Sequence, residues 1–161
     1  MPEPRVVTMT VDGRTRTGTA EPRLLLSDFL RHELGLTGVH VGCEQGGCGA
    51  CSVRIDGRLV LSCLTLALQA EGATIQTVES LAGSGELHPI QRAFQARHGL
   101  QCGFCTPGML LAAQVLLEET PDPTDEQIRE HLSGNVCRCT GYTGIVASVR
   151  EAARLLREEG P

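Results

Sequence analysis

Aromatic side chains are nearly missing from this sequence: they make up 2% of 161 residues, with no Trp, one Tyr and three Phe. Core filling therefore falls to Leu, Val, Ile and Ala, and platforms on which nucleic-acid bases could stack are scarce. Excess positive charge is missing too. The formal net charge of -5 disfavours a phosphate-backbone partner. The N-terminal stretch MPEPRVVTMTVDG lacks a basic segment followed by an apolar run, so no signal peptide is expected. The compartment expected is a reducing one, the cytoplasm, where eight cysteines would not be held as four disulfides. No apolar run approaches bilayer length; the most apolar, Met109 to Leu117, has the size of a buried core helix, and no membrane span is expected. No Ser/His/Asp arrangement or phosphate loop is recognisable and the five His are scattered, so no catalytic residue is assigned. What remains is a chain that is 41% hydrophobic, with mean hydropathy near zero at -0.02, long enough for one ordinary domain or two small ones.

The cysteines organise that chain. In Gly42 to Cys63, GCEQGGCGACSVRIDGRLVLSC, four of them follow the spacing C-x4-C-x2-C and then a strand-length excursion to the fourth. This is the plant-type pattern for a 2Fe-2S cluster, so Cys43, Cys48, Cys51 and Cys63 are read as one four-thiolate site. Gly42, Gly46, Gly47 and Gly49 would allow positive φ and a close approach of backbone N–H groups to the sulfurs. Longer side chains at most of these positions would crowd the core. A zinc knuckle or a pair of disulfides is the alternative, although zinc sites favour short C-x2-C pairs in two separate knuckles.

Around this loop the pattern is α+β. Arg5 to Val11 and Arg14 to Thr19 form a hairpin about Asp12-Gly13, and Ser52 to Ile55 with Arg58 to Leu61 form a second about Asp56-Gly57, which returns Cys63 to the site. Thr74 to Val78 adds a strand. Ser27 is expected to cap a helix whose Phe29, Leu30 and Leu34 face inward and which Gly35 ends. Together these describe a β-grasp sheet with one helix across it. Beyond the Gly/Ser-rich segment after Ala82 no strand pattern appears. Helices are expected from Pro89 towards His98-Gly99, from Pro107 to Glu119, from a Thr124/Gln127 capping box through Leu132, and along the apolar face Ile145, Val146, Val149, Ala152, Ala153 and Leu156. The expected organisation is a β-grasp domain at 1-82, a linker at 83-88 and an all-α four-helix bundle domain at 89-161.

Cys102, Cys105, Cys137 and Cys139 make up the second set, as C-x2-C before a central helix and C-x-C in a loop between helices. Alone, C-x2-C would favour a redox dithiol or zinc. Each pair needs the other to complete four thiolates, and eight cysteines then divide into two sets with none left over. The helix N-terminus after Cys105 favours anionic thiolates. Arg138, between two ligands, either compensates charge or is a solvated side chain.

GCEQGGCGAC, QCGFCTPGM and VCRCTGY, in this order and with a β-grasp half before a helical half, resemble the small iron–sulfur subunit of the molybdenum hydroxylases. That family includes xanthine dehydrogenases, aldehyde oxidoreductases and aerobic carbon monoxide dehydrogenases. The resemblance covers nearly the whole chain, and no ligand position departs from it. It implies two 2Fe-2S clusters, with molybdopterin, as its cytosine dinucleotide, in a large subunit and FAD in a medium subunit of a dimer of heterotrimers. It further implies that electrons pass from the pterin through the helical-domain cluster and then the plant-type cluster to the flavin. By motif, Gln101 would contact the pterin and Cys139 would be the ligand nearest to it; without the resemblance Gln101 is a surface amide before a turn. Gly141-Tyr142 is expected to order the loop after Cys139, with packing favoured over a redox role for Tyr142. A free-standing ferredoxin-like carrier would need only about the first 80 residues, and a structural zinc module would be colourless.

Overall fold

The computed structural model describes residues 3–82 and 85–159; Gly83 and Ser84 of the expected linker, and the extreme ends of the two expected domains, lie outside the described residues. Strand β1 (Arg5–Val11) pairs antiparallel with β2 (Arg14–Ala20). Asp12 (φ 50) and Gly13 (φ 74) both take the left-handed conformation, as the twist of a two-residue hairpin demands. The same turn closes β3 (Ser52–Ile55) onto β4 (Arg58–Leu61), with Asp56 at φ 49 and Gly57 at φ 82. Strand β5 (Thr74–Gln76) joins the two hairpins into one mixed sheet of order β2-β1-β5-β3-β4, parallel to β1 and antiparallel to β3. It ends at Gln76, short of the expected Val78, because the Asp12 carboxylate takes both the N–H and the hydroxyl of Thr77 at 2.7 Å each. The chain then turns tightly through Val78–Leu81.

One face of the sheet is covered by α1 (Leu26–Asp28), which continues as a wider π-helical turn through Phe29–Glu33. Phe29 and Leu30 are fully buried with Val7, Met9, Val11 and Ile75, each such side chain contributing about 2–3 kcal/mol of transfer free energy. Gly18 on β2 makes room for this: a Cβ there would stand 2.8 Å from the Phe29 ring. Ser27 is not the cap. It lies inside α1, fully buried, and its hydroxyl has no partner among the described residues, while the N-cap position falls on Leu25. Gly35, at φ 72, ends the turn as expected.

The second half contains α2 (Pro89–Ala96), α3 (Thr106–Glu119), α4 (Asp125–His131) and α5 (Thr143–Glu159). With α1 this makes five α-helices among the described residues. Capping boxes open α2 (His88 with Gln91) and α4 (Thr124 with Gln127), each satisfying two N–H groups that the first turn leaves unpaired. Helix α2 stops at Ala96, before the expected His98, because His98 turns left-handed (φ 55) and brings Gly99 against α5, where a Cβ would collide with Ser148. Helix α3 is apolar on all sides and buried accordingly; Met109, Leu111, Ala112 and Ala113 share a core with Ile90 and Phe94 of α2, Ile128 of α4, and Ile145 and Val149 of α5. Leu59 of β4 and Val78 pack onto this core from the first half. Arg54 of β3 adds a two-pronged ion pair to Glu118 of α3, both arms at 2.7 Å.

Candidate metal centres

The π-helical turn positions the first cysteine loop. Arg31 donates to the carbonyl oxygens of Thr37 at 2.9 Å and Val39 at 2.6 Å, which fixes the chain as it enters the loop. Within it Gly46 (φ 79) and Gly49 (φ 69) are left-handed as expected, but the third left-handed residue is Glu44 (φ 55), not Gly42 or Gly47. Space also differs from position to position. A Cβ on Gly42 would press on Cys48 Sγ at 3.2 Å and one on Gly46 on Leu64 at 2.6 Å, whereas Gly47 has open space. Cys63 arrives on a short 3-10 turn, Ser62–Leu64, directly after β4.

The thiols of this set meet in pairs. The Cys48 thiol and the N–H groups of Gln45, Cys48 and Gly47 are directed at Cys43 Sγ; Gln45 N–H and then the Cys48 thiol bring Cys43 down to about 7. Cys63 is pushed up to about 11, by burial first and then by the neighbouring Cys51 thiol, while the Gly46 N–H favours its thiolate. Half-buried Cys43 is thus the thiol of this set closer to ionisation, while burial holds Cys63 towards its protonated form until a metal replaces the proton.

The second set is assembled from two distant segments. Cys102 and Cys105 precede α3, with Cys105 at its N-cap position, while Cys137 and Cys139 lie between α4 and α5. Cys139 Sγ is 3.5 Å from Cys102 Sγ, and the Cys105 thiol pairs with Cys137. Burial first, then the Cys137 thiol, pushes Cys105 up to about 12. Burial, the largest influence, would raise Cys137, yet the Thr140 hydroxyl at 3.2 Å and the N–H groups of Thr140 and Cys139 together bring it below its ordinary value. Phe104 N–H, then the Cys139 thiol, lowers Cys102; the Cys102 thiol in turn raises Cys139. Cys102 and Cys139 form the exposed edge of the set, and Gln101 and Arg138 are exposed beside them.

This arrangement discriminates between metals. A single zinc ion would hold four thiolates at about 2.3 Å from one centre. Among the described residues no three His, Cys, Asp or Glu side chains are grouped for a single ion. Thiols that approach two by two, with peptide N–H groups aimed at the sulfurs, fit a dinuclear core in which each iron takes one pair. The donor sets therefore suit 2Fe-2S clusters.

Three residues to which the sequence reading gave no role tie the sets together. His40 Nδ1 bonds to the Phe104 carbonyl at 2.8 Å and its ring stacks on Phe104 at a centroid distance of 5.0 Å. Asn135 donates from Nδ2 to the Gly49 carbonyl at 3.0 Å, and Val136 N–H donates to the Cys48 carbonyl at 2.9 Å. Thr140, next to a ligand, carried the only sequence signal, a hydroxyl one residue from a thiolate. Tyr142 does more than pack: its hydroxyl accepts from Cys137 N–H at 2.8 Å and donates to the Asn135 carbonyl at 3.4 Å.

Two sequence families match the chain. One described as a 2Fe-2S iron-sulfur cluster binding domain covers residues 9–82, and one described as a 2Fe-2S binding domain covers 77–150. The nicotine 6-hydroxylase small subunit of Paenarthrobacter nicotinovorans is 52% identical over 152 residues, which is 94% of this chain and 92% of that protein. Subunit gamma of caffeine dehydrogenase from Pseudomonas sp. (strain CBB1) is 50% identical over 92% of this chain and 90% of its own length. Among solved structures, quinoline 2-oxidoreductase from Pseudomonas putida 86 has a chain that superposes with a TM-score of 0.93 at 46% identity, covering 96% of this chain and 97% of that one.

Proposed function

Because this chain belongs to the family of small iron–sulfur subunits of the molybdenum hydroxylases and is the electron-transfer subunit of an oxidoreductase complex, we propose that its eight cysteines hold two 2Fe-2S clusters in series between a pterin and a flavin. Cys43, Cys48, Cys51 and Cys63 hold one cluster, and Cys102, Cys105, Cys137 and Cys139 the other. The observation that carries this is the convergence of the four thiols of each set, Cys139 Sγ at 3.5 Å from Cys102 Sγ among them, with peptide N–H groups aimed at the sulfurs. Each cluster, when bound, takes up and gives back one electron at a time. The chain's own part is to keep these sites at fixed separation: Cys48 and Cys137 belong to different sets, and the hydrogen bond from Val136 N–H to Cys48 C=O links the backbone of one to the neighbour of the other.

The exposed edge of the second set indicates where electrons enter. Cys102 and Cys139 are exposed, and Leu100, Phe104 and Val136, exposed by 39%, 48% and 41%, lie in the same two loops. Apolar surface of this kind beside a redox site suits a protein partner. That partner is the large subunit, carrying molybdopterin cytosine dinucleotide; Gln101 contacts the pterin and Cys139 is the ligand nearest to it. A medium subunit with FAD accepts the electrons, and two heterotrimers pair. Among the described residues no helix is long and apolar enough to cross a membrane, and cysteines committed to metal instead of disulfides suit a cytoplasmic location. The halves are separate domains, 1-82 and 89-161 joined by 83-88, the second a four-helix bundle. Substrate chemistry belongs to the large subunit.

Iron analysis and paramagnetic resonance of the reduced complex test this: about four irons per chain and two cluster signals are expected. One signal, or stoichiometric zinc, would overturn it. Direction is tested by rapid mixing with substrate. Cys43→Ser should leave the second cluster quickly reduced while the flavin lags; Cys139→Ser should delay both the first cluster and the flavin. Equal flavin reduction in both variants and wild type would mean the clusters are not on the path.

A further inference from the structure

Gly49, in the loop of the first cysteine set, is enclosed by the helical half. A Cβ on it would collide with the Gly134 carbonyl and stand 2.6 Å from the Asn135 amide nitrogen, and a Cβ on Gly108 would collide with the Gly49 carbonyl. The backbone of Gly49 therefore meets those of Gly108 and Gly134 with no room for a Cβ, and the Asn135 amide is the side chain that shares the contact. Two hydrogen bonds cross the junction, from Asn135 Nδ2 to Gly49 O and from Val136 N–H to Cys48 O. The Gly49 carbonyl also accepts from Ser52 Oγ at 2.7 Å and Ser52 N–H at 3.2 Å, so it does not depend on Asn135 for a partner. The amide acts instead on its own segment, where Asn135 is only 4% exposed.

That segment is gripped from its other side by Tyr142. The phenol holds Cys137 N–H and Asn135 C=O, and Tyr142 N–H donates to Thr140 Oγ1 at 3.1 Å, whose hydroxyl reaches Cys137 Sγ. Tyr142 does this from φ 68, a conformation that a bulky residue adopts only when its surroundings impose it. Asn135 and Tyr142 thus clamp Val136 from both sides, the residue that connects Cys48 to Cys137.

We infer that Asn135 and Tyr142 are positioning residues that fix the Cys137–Cys139 loop against the Cys48–Cys51 loop and so set the electronic coupling between the two clusters, not the retention of iron by either. This rests on both thiol sets carrying 2Fe-2S clusters. Coupling between redox centres falls steeply with separation and with every break in the bonded path that joins them, so a small slip of Val136 from Cys48 weakens it while every ligand stays in place.

The test uses the assembled complex with Asn135→Asp, which replaces the donor by an acceptor facing Gly49 O, and Tyr142→Phe, which strips the hydroxyl. Iron content and low-temperature paramagnetic resonance are recorded with both clusters reduced. Both variants should keep wild-type iron and both cluster signals but show a reduced spin–spin splitting between them, whereas Ser52→Ala, which removes a donor to the same carbonyl from within the first half, should retain the wild-type splitting. Unchanged splitting in both variants, or loss of the second cluster's iron from both, overturns the inference. If Asn135→Asp prevents folding, Tyr142→Phe alone decides. A wild-type complex with one cluster signal would overturn the two-cluster reading as well, and that failure shows before any variant is made.

Discussion

The two cysteine sets reach similar chemistry by opposite routes. Three thiols of the first lie within one loop, Cys43 to Cys51, and a single hairpin returns the fourth. The second joins Cys102 and Cys105 to Cys137 and Cys139 across the whole of α3 and α4. The first is therefore a property of local backbone, set by left-handed residues and peptide N–H groups. The second exists only while the helical core holds its two segments together. Both nonetheless contain one thiol that hydrogen bonds bring below its ordinary value and another that burial pushes up, Cys43 and Cys63 in the first, Cys102 and Cys105 in the second. Binding iron must expel protons from both sets.

The sharpest way to break the comparison is through the cores. Phe94, 1% exposed in the helical core, should cost about 3–5 kcal/mol when truncated to Ala. Its loss should remove the second cluster's signal and leave the first, as paramagnetic resonance with denaturant melting would show. Equal loss of both signals would mean that the sets are not independently supported.

A smaller effect is expected within the first loop. Gly49→Ala forces a side chain into a left-handed residue pressed against Gly134, and should cost about 1–3 kcal/mol. Gly47→Ala, with open space and no positive φ, should stay within about 0.5 kcal/mol. Thermal unfolding of the two variants side by side checks whether Gly49 is confined by the helical half while Gly47 is free of it.

Acid should act on the halves with opposite signs. Hydrogen bonds from Arg154 first, and from Arg97, bring Glu151 on α5 down to about 2 from an ordinary 4.5. Its contribution is complete above the ordinary value and is lost as pH falls towards about 2. In the sheet half, burial raises Asp12 above 3.8 despite its bonds from Thr77, so its charged form is disfavoured on folding and stability at this site increases as pH falls through the raised value. Glu151→Gln should therefore lose less melting temperature than wild type between about pH 5 and 3, and Asp12→Asn should show no such protection.

Much of this molecule is local and could be read from adjacent residues. Asp-Gly turns place two positive φ angles in succession, alternating apolar residues define β1, and Thr124 with Gln127 caps α4, because each depends on groups a few bonds apart. The cysteine spacings belong to the same class, and with them the metal type and the family. Where neighbours alone misled, distant residues had intervened. Asp12 stopped β5 from 65 positions away, packing of Phe29 beneath Gly18 accompanied the widening of α1 into a π turn, and Gly49 was confined by the helical half rather than by its own loop. Which thiols pair, and that Asn135 reaches Gly49 across 86 positions while Tyr142 holds Cys137, only the tertiary structure decided. Sequence encodes torsion preferences and ligand chemistry directly, but a hydrogen bond between remote groups exists only once burial of two apolar cores has brought their backbones together.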